Sequence, residues 1–301
     1  MYQLIERGVY MLTFKKKKRY WAFAFIAINL ILLITFFLVP VLLGFYYSLT
    51  DYNGSTTPSF IGLSNFQELF QDASFYRSLS RTLLYTVVSV PLHFIIPLFI
   101  AILLTRKHTR GKTFSQLIIF LPWLVSPIVA GVTWRWIFGE SFGFINYIIE
   151  RFNGTPLAWS SDGNLAFLVI VLASTWGGTA FNVLLFMSGI KNIPSVLYEA
   201  ADIDGATGWQ KFWSITLPSL KPTSFMVILI TTIAAMKEFA LIQALNDGGP
   251  GTDNTFIVQY IYNTGFDRSR VGYASAVSMV LFVILLLLAL FQLQFENKGG
   301  K

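Results

Sequence analysis

The stretch Ser195-Val-Leu-Tyr-Glu-Ala-Ala-Asp-Ile-Asp-Gly205 separates two long apolar segments and carries more pattern than a simple connection needs. Ser195 is expected to cap a helix that begins at Val196, because a serine oxygen can accept an otherwise unpaired amide hydrogen. Gly205 is expected to end that helix, since glycine readily adopts the left-handed conformation found at helix ends. The helix would carry an apolar stripe spaced i, i+4, i+7, formed by Val196, Ala200 and Ile203. It would also carry three acidic side chains, Glu199, Asp202 and Asp204.

A second amphipathic stretch follows, and Leu217-Pro218 is expected to break its pattern. Its apolar side chains are Trp209, Phe212, Trp213 and Ile215. Two short helices of this kind could lie on the bilayer surface or insert into a groove of a partner protein. The acidic character of the first helix disfavours an anionic membrane surface, so we favour the partner groove.

Six mostly apolar segments of about 20 residues or more extend outward from this loop, and that length crosses a bilayer as a helix. They cover residues 21–48, 79–105, 114–138, 165–189, 223–243 and 272–295. Pro91, Pro97, Pro122 and Pro127 are expected to interrupt the second and third segments, with neighbouring helices satisfying the freed carbonyls. Trp123, Trp134, Trp136 and Trp159 lie near the expected interfaces, as an aromatic belt would. The predicted fold class is an all-α membrane protein with six transmembrane helices.

The distribution of Lys and Arg predicts the orientation of these helices, because cytoplasmic loops are enriched in both residues. With the N-terminus inside, the inner segments hold 15 of the 22 Lys and Arg, and the outer segments hold 4. Arg81, Arg135 and Lys237 fall within or beside spans. Both termini are therefore expected in the cytoplasm.

Composition excludes several classes of function. The chain of 301 residues is 54% hydrophobic and 12% charged, whereas a soluble domain carries about 25% charged residues. It has no cysteine, so disulfides and thiol chemistry are excluded, and its two histidines, His93 and His108, do not suggest a metal site. The basic cluster at 15–19 is interpreted as a topology anchor rather than a nucleic-acid surface.

The loop also carries a spaced motif. This motif resembles the EAA motif of ABC importer permeases. It reads Glu199-Ala200-Ala201, then Gly205 after three residues, Ile215 after nine more, and Leu217-Pro218 after one more. The resemblance implies the type I ABC importer permease fold, and it identifies the loop as the coupling helix that docks into a cytoplasmic ATPase. The implied coupling residues are Glu199, Ala200, Ala201, Asp204, Gly205, Leu217 and Pro218.

Two further segments resemble the carbohydrate branch of that family, which includes the larger membrane subunit of the maltose transporter. They are Phe60-Ile-Gly-Leu-Ser-Asn-Phe66 and Asn246-Asp-Gly-Gly-Pro250, the latter followed by Thr255. Two N-terminal spans and a large periplasmic insert of the maltose subunit are absent here, so the six-span glycerol-3-phosphate and oligosaccharide permeases are more similar. The resemblance implies three kinds of partner besides the lipid bilayer: a second homologous permease subunit, two cytoplasmic ATPase subunits and an extracytoplasmic sugar-binding protein.

Substrate contacts are also implied by this resemblance. They fall on Gly177, Gly178 and Phe181 before the loop, and on Thr231, Ala234, Ala235 and Glu238 after it. The later four follow i, i+3, i+4, i+7 spacing and are predicted to share one helical face. Alternatives remain open, because glycines also serve helix packing and Phe181 could be a core aromatic.

Lys237-Glu238 is an ionisable pair within a predicted span, and such residues line a cavity, pair with each other or snorkel to the interface. A carboxylate in a cavity could accept hydrogen bonds from sugar hydroxyls, which favours a neutral sugar. A glycerol-3-phosphate-like or acidic sugar in the same architecture is the alternative. A proton relay through the pair, as in an ion-coupled secondary transporter, is the rival function, although no clear internal repeat supports it.

No nucleotide site is predicted in this chain. Gly111-Lys112-Thr113 resembles the end of a Walker A loop, but Arg106 occupies the position of its first glycine. ATP and Mg are therefore expected on the partner ATPase, and this chain is expected to be no enzyme. The predicted organisation is a basic cytoplasmic segment at 1–20, a permease domain at 21–296 with the coupling loop at 191–222, and a cytoplasmic tail at 297–301.

Overall fold

The computed structural model describes residues 23, 25–105 and 111–298. Throughout this part the chain is helical, and its extended pairing is limited to one isolated bridge between Thr50 and Phe60. The expected basic segment at 1–20 and most of the tail at 297–301 lie outside the described residues, as does His108. The predicted all-α class is confirmed.

Four helices are long and apolar enough to cross a membrane by length and composition. They are α1 (Phe25–Ser48), α3 (Ala73–Thr105), α7 (Gly163–Lys191) and the apolar part, Val271–Gln294, of α13 (Val271–Lys298). Two bent helix pairs raise the number to six if each pair is one span. The first pair is α4 (Lys112–Leu124), of which Phe114–Leu124 is the apolar part, and α5 (Pro127–Ile137). The second pair is α9 (Gly208–Ser219) and α10 (Lys221–Met236).

The break between α4 and α5 follows from Pro127. A proline disfavours helical backbone in the residue before it, and Ser126 accordingly takes ψ 140°. Val125 is also extended, with ψ 128°. The two helix axes therefore differ by 100°, and the expected third segment at 114–138 is two helices rather than one.

Pro91 and Pro97 do not interrupt the second segment, because α3 continues through both. Pro97 has no amide hydrogen, so the carbonyl of His93 one turn earlier lacks its helical donor. Asn182 of α7 replaces that donor, with Nδ2 2.9 Å from the His93 oxygen. The expected compensation by a neighbouring helix is confirmed at this proline, but the expected interruption was wrong.

The fifth predicted segment is also divided. Helix α10 ends at Met236, and the chain turns through Lys237 and Glu238 before α11 (Ala240–Leu245). Lys237 and Glu238 donate their amides to the carbonyls of Ala234 and Ala235 in a tightened last turn. A continuous helix over 223–243 was therefore a wrong prediction.

Short helices connect the long ones at the end of the bundle opposite the 191–222 loop. They are α2 (Ser64–Leu69), α6 (Phe144–Arg151) and α12 (Ile257–Tyr262). Buried Asn65 in the Phe60–Phe66 segment donates to the carbonyls of Ser48 and Thr50 at 2.9 and 2.8 Å, which fixes the end of α1. Trp159 is buried and donates to Asn146 at 2.8 Å, so its assignment to an aromatic belt was wrong.

Helices α3 and α7 pack along each other at the centre, and α5 packs against α11 beside them. A buried cluster between these helices includes Tyr85, Ile170 and Ile242. Gly131 permits the α5–α11 approach, because an added Cβ would lie 2.7 Å from the Leu241 carbonyl oxygen. This packing surrounds a cavity on one side of α7.

Candidate functional site

A central cavity of about 420 Å³ lies between α4, α5, α7 and α10, with α3 behind it. All seven residues implied as substrate contacts line it: Gly177, Gly178, Phe181, Thr231, Ala234, Ala235 and Glu238. They come from two segments about 50 residues apart, so the fold brings together what the sequence separates. Their contact with a substrate stays a prediction.

The two adjacent glycines of α7 have different surroundings. An added Cβ on Gly177 would meet no atom within 4 Å, so this position faces open space. An added Cβ on Gly178 would lie 2.6 Å from His93 Nε2. Gly177 therefore leaves cavity volume, whereas Gly178 allows close packing of α7 against α3, and both interpretations of the glycine pair hold at different positions.

An aromatic pair forms one wall of the central cavity. The rings of Trp123 and Phe181 stack with centroids 6.0 Å apart and planes 28° apart. Trp123 therefore lines the cavity while 58% of its surface is exposed, and its place in an interfacial belt stays a prediction. The spacing of tryptophans along the chain could not reveal this contact, because Trp123 and Phe181 belong to different helices.

Polar side chains from three helices also line the central cavity, and sequence patterns did not predict that they come together. His93 Nδ1 and Nε2 lie 2.8 and 3.1 Å from the backbone oxygens of Ser89 and Ser174. Asn182 Nδ2, besides binding the His93 carbonyl, lies 3.3 Å from Thr231 Oγ1. The available signal was the presence of His and Asn inside apolar spans, where polar residues are costly unless they line a cavity or find partners.

Glu238 reaches the cavity from the break after α10, not from a continuous helical face. It is partly buried, and its Oε1 accepts the Phe239 amide hydrogen at 3.2 Å. Lys237 is exposed and is absent from the cavity lining, and no salt bridge joins the two within the described residues. The interpretation as a buried ion pair was therefore wrong, while the cavity interpretation applies to Glu238 alone.

A second cavity of about 430 Å³ lies nearer the end of the bundle opposite the 191–222 loop. Arg135, Glu140 and Ser141 line it. The Glu140 carboxylate accepts hydrogen bonds from the hydroxyls and amides of Ser160 and Ser161 at 2.6–3.0 Å. Hydrogen bonding by the Ser160 hydroxyl, the largest effect, lowers the pKa of Glu140 despite the opposing effect of burial.

The helix predicted at the start of the 191–222 loop is α8 (Ser195–Ile203). None of its residues is buried, and Ile203 is 88% exposed. Ser195 is its first helical residue, with Pro194 at the cap position and no side-chain cap bond, so the capping prediction was wrong. An exposed helix with apolar side chains is available for a partner.

The predicted end at Gly205 is confirmed, with φ +71°. The Gly205 amide donates to the Asp202 carbonyl and the Ala206 amide to the Ala201 carbonyl, at 3.2 and 2.9 Å. These two bonds form a Schellman motif, which requires the left-handed residue that glycine supplies. The glycine of the EAA motif therefore has a physical role in stopping α8 after its nine residues.

Helix α9 holds α8 in place. Lys211 forms a salt bridge with Asp202, and the Tyr198 hydroxyl lies 2.9 Å from Thr216 Oγ1. Leu217-Pro218 does not break the helix. A π-helical turn at Phe212–Thr216 precedes it, and the Leu217 amide donates to the carbonyl of Phe212, five residues earlier. The chain bends by 67° only between Ser219 and Lys221.

The described chain is an all-helical bundle with four to six apolar spans, a central cavity and an exposed loop helix, an architecture expected of a membrane transport permease. A family profile described as the inner membrane component of binding-protein-dependent transport systems matches residues 61–298. The chain belongs to this family, and it is a multi-pass protein of the cytoplasmic membrane.

Characterised relatives cover most of the chain. The sn-glycerol-3-phosphate transport system permease protein UgpA of Agrobacterium fabrum is 34% identical over 275 residues, 91% of this chain and 93% of that protein. The multiple sugar-binding transport system permease protein MsmF of Streptococcus mutans is 32% identical over 286 residues, 94% of this chain and 98% of that protein.

A solved structure has the same fold. The bacterial alginate ABC transporter, crystallised with a periplasmic protein bound to an alginate pentasaccharide, contains a chain that superposes with a TM-score of 0.84 at 25% identity. The match covers 95% of this chain and 98% of that chain. The predicted family and its type I architecture are thereby confirmed.

Proposed function

We propose that this chain is the translocation subunit of an ATP-driven importer that moves a sugar or oligosaccharide into the cell by alternating access. The observation that carries the proposal is the pairing of a polar and aromatic central cavity with the exposed helix α8 in one permease chain. Hydroxyl-binding and ring-stacking groups suit a carbohydrate, and the relatives named for sugar transport support this class.

Coupling to ATP hydrolysis is assigned to α8 and the end of α9. Glu199 is exposed and would be a polar contact to the ATPase, while Ala200 and Ala201 permit close approach. Gly205 ends the helix, Asp204 occupies its cap position, and Leu217-Pro218 continues α9 toward α10. Movement of α8 would pass through the Asp202–Lys211 salt bridge to α9 and then to α10, which lines the cavity.

The proposed assembly contains a second permease subunit, two ATPase subunits that bind ATP and Mg, and a sugar-binding protein outside the membrane. The alginate transporter in complex with its periplasmic protein supports the last partner. We propose six spans, with each bent pair crossing once and both termini in the cytoplasm. This orientation puts the 191–222 loop and the ATPases on the same side.

The test is reconstitution of the assembled importer in proteoliposomes. The binding protein is first screened against neutral and acidic mono- and oligosaccharides, and uptake of the labelled sugar it binds is then measured. Uptake should require ATP and the binding protein, and it should disappear with a hydrolysis-inactive ATPase. Uptake driven by an ion gradient without ATP would refute the proposal.

The rival ion-coupled transporter used Lys237 and Glu238 as a relay. Lys237 is exposed and forms no salt bridge with Glu238 within the described residues, whereas Glu238 lines the cavity. A relay needs both groups in one pathway, so this arrangement favours the ATP-driven importer.

A further inference from the structure

The charge of the central cavity is set by one residue. Among the described residues that line it, Glu238 is the only carboxylate, and none is Lys or Arg. His93 is the remaining side chain with a titratable nitrogen, and both of its ring nitrogens face backbone oxygens. The described cavity wall supplied by this chain therefore contains one carboxylate and no Lys or Arg side chain beside it.

Lys237 and Arg135, two basic residues of the neighbouring segments, lie outside the central cavity. Lys237 is adjacent in sequence, but it is exposed and does not line the cavity. Arg135 lines the second cavity, on the part of α5 beyond the residues that line the central one. The Glu238 carboxylate instead accepts hydrogen bonds from the backbone amides of Leu241 and Phe239, which carry no net charge.

The remaining lining is suited to an uncharged ring that carries hydroxyl groups. Trp123 and Phe181 offer a stacked aromatic surface for the apolar face of a sugar. Thr231, Asn182 and Ser174 offer polar groups from two of the helices that line the cavity. None of these groups compensates a phosphate or carboxylate brought close to Glu238, and like charges brought together in a medium less polar than water repel.

We propose that Glu238 is the specificity-determining charge of the pathway and excludes anions, so that the carbohydrate carried is neutral or bears an amino group. This inference rests on the proposed function and defines its substrate class. It separates this chain from two of its matches, since UgpA is named for sn-glycerol-3-phosphate and the solved transporter is described as importing the acidic polysaccharide alginate.

The absence of cysteine from the chain allows a test that needs no identified substrate. The substitution Gly177→Cys would introduce a single thiol into this chain, at a position that faces open cavity space. The labelling rates of cationic MTSET and anionic MTSES are measured in the assembled importer, with partner subunits made cysteine-free. ATP and the binding protein are present, so that the importer cycles. Each rate ratio is divided by the ratio for 2-mercaptoethanol in the same buffer.

The corrected ratio should favour MTSET by about tenfold, because Glu238 attracts one reagent and repels the other. Glu238→Gln should remove most of this preference, and Glu238→Asp should keep it. The matched control is Ser141→Cys in the second cavity, whose ratio should not change with Glu238→Gln. Co-purification with the ATPase verifies assembly of each variant.

A corrected ratio near one, or a ratio that Glu238→Gln leaves unchanged, would overturn the inference. An unreactive thiol at 177 would also overturn it, because the argument requires that position to face the cavity. Transport of an anionic sugar would refute the substrate class while leaving the importer function intact. Absence of any ATP-dependent sugar uptake would instead refute the proposed function, and the labelling ratio would still report the cavity charge.

Discussion

The neighbouring glycines of α7 provide a matched pair of substitutions. Gly178→Ala would place its Cβ 2.6 Å from His93 Nε2 and 2.7 Å from His93 Cδ2, and ordinary contact begins at 3.4 Å. His93 cannot rotate away freely, because its ring nitrogens lie 2.8 and 3.1 Å from the carbonyl oxygens of Ser89 and Ser174. Gly177→Ala meets no atom within 4 Å.

The expected cost of Gly178→Ala has two parts. Overpacking of a buried site costs about 1–3 kcal/mol, and weakening one hydrogen bond of His93 adds about 0.5–1.5 kcal/mol. The intrinsic preference of a helix for alanine over glycine applies to both substitutions and cancels in the comparison. Gly178→Ala should therefore be less stable than Gly177→Ala by about 2–4 kcal/mol, a fall in melting temperature on the order of 5–10 °C.

Thermal unfolding of the purified assembly in detergent, followed by the loss of monodisperse protein, measures the difference. The double variant Gly178→Ala with His93→Ala is the control for the cause, because removal of the ring removes the clash. Equal melting temperatures for the two glycine variants would refute the packing argument. A deficit in Gly178→Ala that persists without the His93 ring would assign the effect to another contact.

Four further outcomes are expected. Glu199→Ala and Gly205→Val should reduce ATP-driven uptake or co-purification of the ATPase while membrane insertion persists. The valine should destabilise α8 by about 1 kcal/mol or more, because it occupies a left-handed position. Normal uptake by both variants with the ATPase bound would contradict the role of α8. Glu238→Gln should retain part of the uptake and Glu238→Leu should lose most of it, so normal uptake by an assembled Glu238→Leu variant would remove this residue from the substrate contacts. Lys211→Cys should be labelled by an impermeant maleimide only after the cells are opened, and labelling of intact cells would reverse the topology. The pKa of Glu140 is lowered in the folded state, so its hydrogen bonds stabilise the protein above the ordinary pKa of 4.5, and this stabilisation is lost as the pH falls below 4.5. Hydrogen exchange of the Ser160 segment should therefore accelerate in acid, and Glu140→Gln should make that acceleration smaller.

Local patterns accounted for much of the fold. The apolar segments ending at Ser48 and Thr105 were recognised with nearly the observed C-terminal ends, because the length of an apolar run is a property of consecutive residues. The end of α8 at Gly205 was also predicted correctly, since a left-handed stop depends on a single residue. The cap at Ser195 was not, because Pro194 occupies the cap position and the helix begins one residue earlier.

The candidate site shows where local patterns stop being informative. Each of the seven cavity residues was identified through the resemblance, yet the assumed reason for Glu238 was a continuous helical face, and α10 ends two residues before it. The 100° bend after α4 could not be foreseen from hydropathy, and neither could the stacking of Trp123 on Phe181 in the cavity lining. His93 and Asn182 are 89 positions apart and meet only through the packing of α3 on α7.

The sequence by itself determined the solvent of this protein, the approximate position of its apolar segments and the end of α8 at Gly205. Composition and short-range spacing control these properties. Only the tertiary structure decided which polar residues share a cavity, which glycine is crowded and which member of the Lys237-Glu238 pair faces the pathway. The physical reason is that cavities and close contacts arise where residues distant in the chain are packed together, and their free energies depend on distances that no single segment contains.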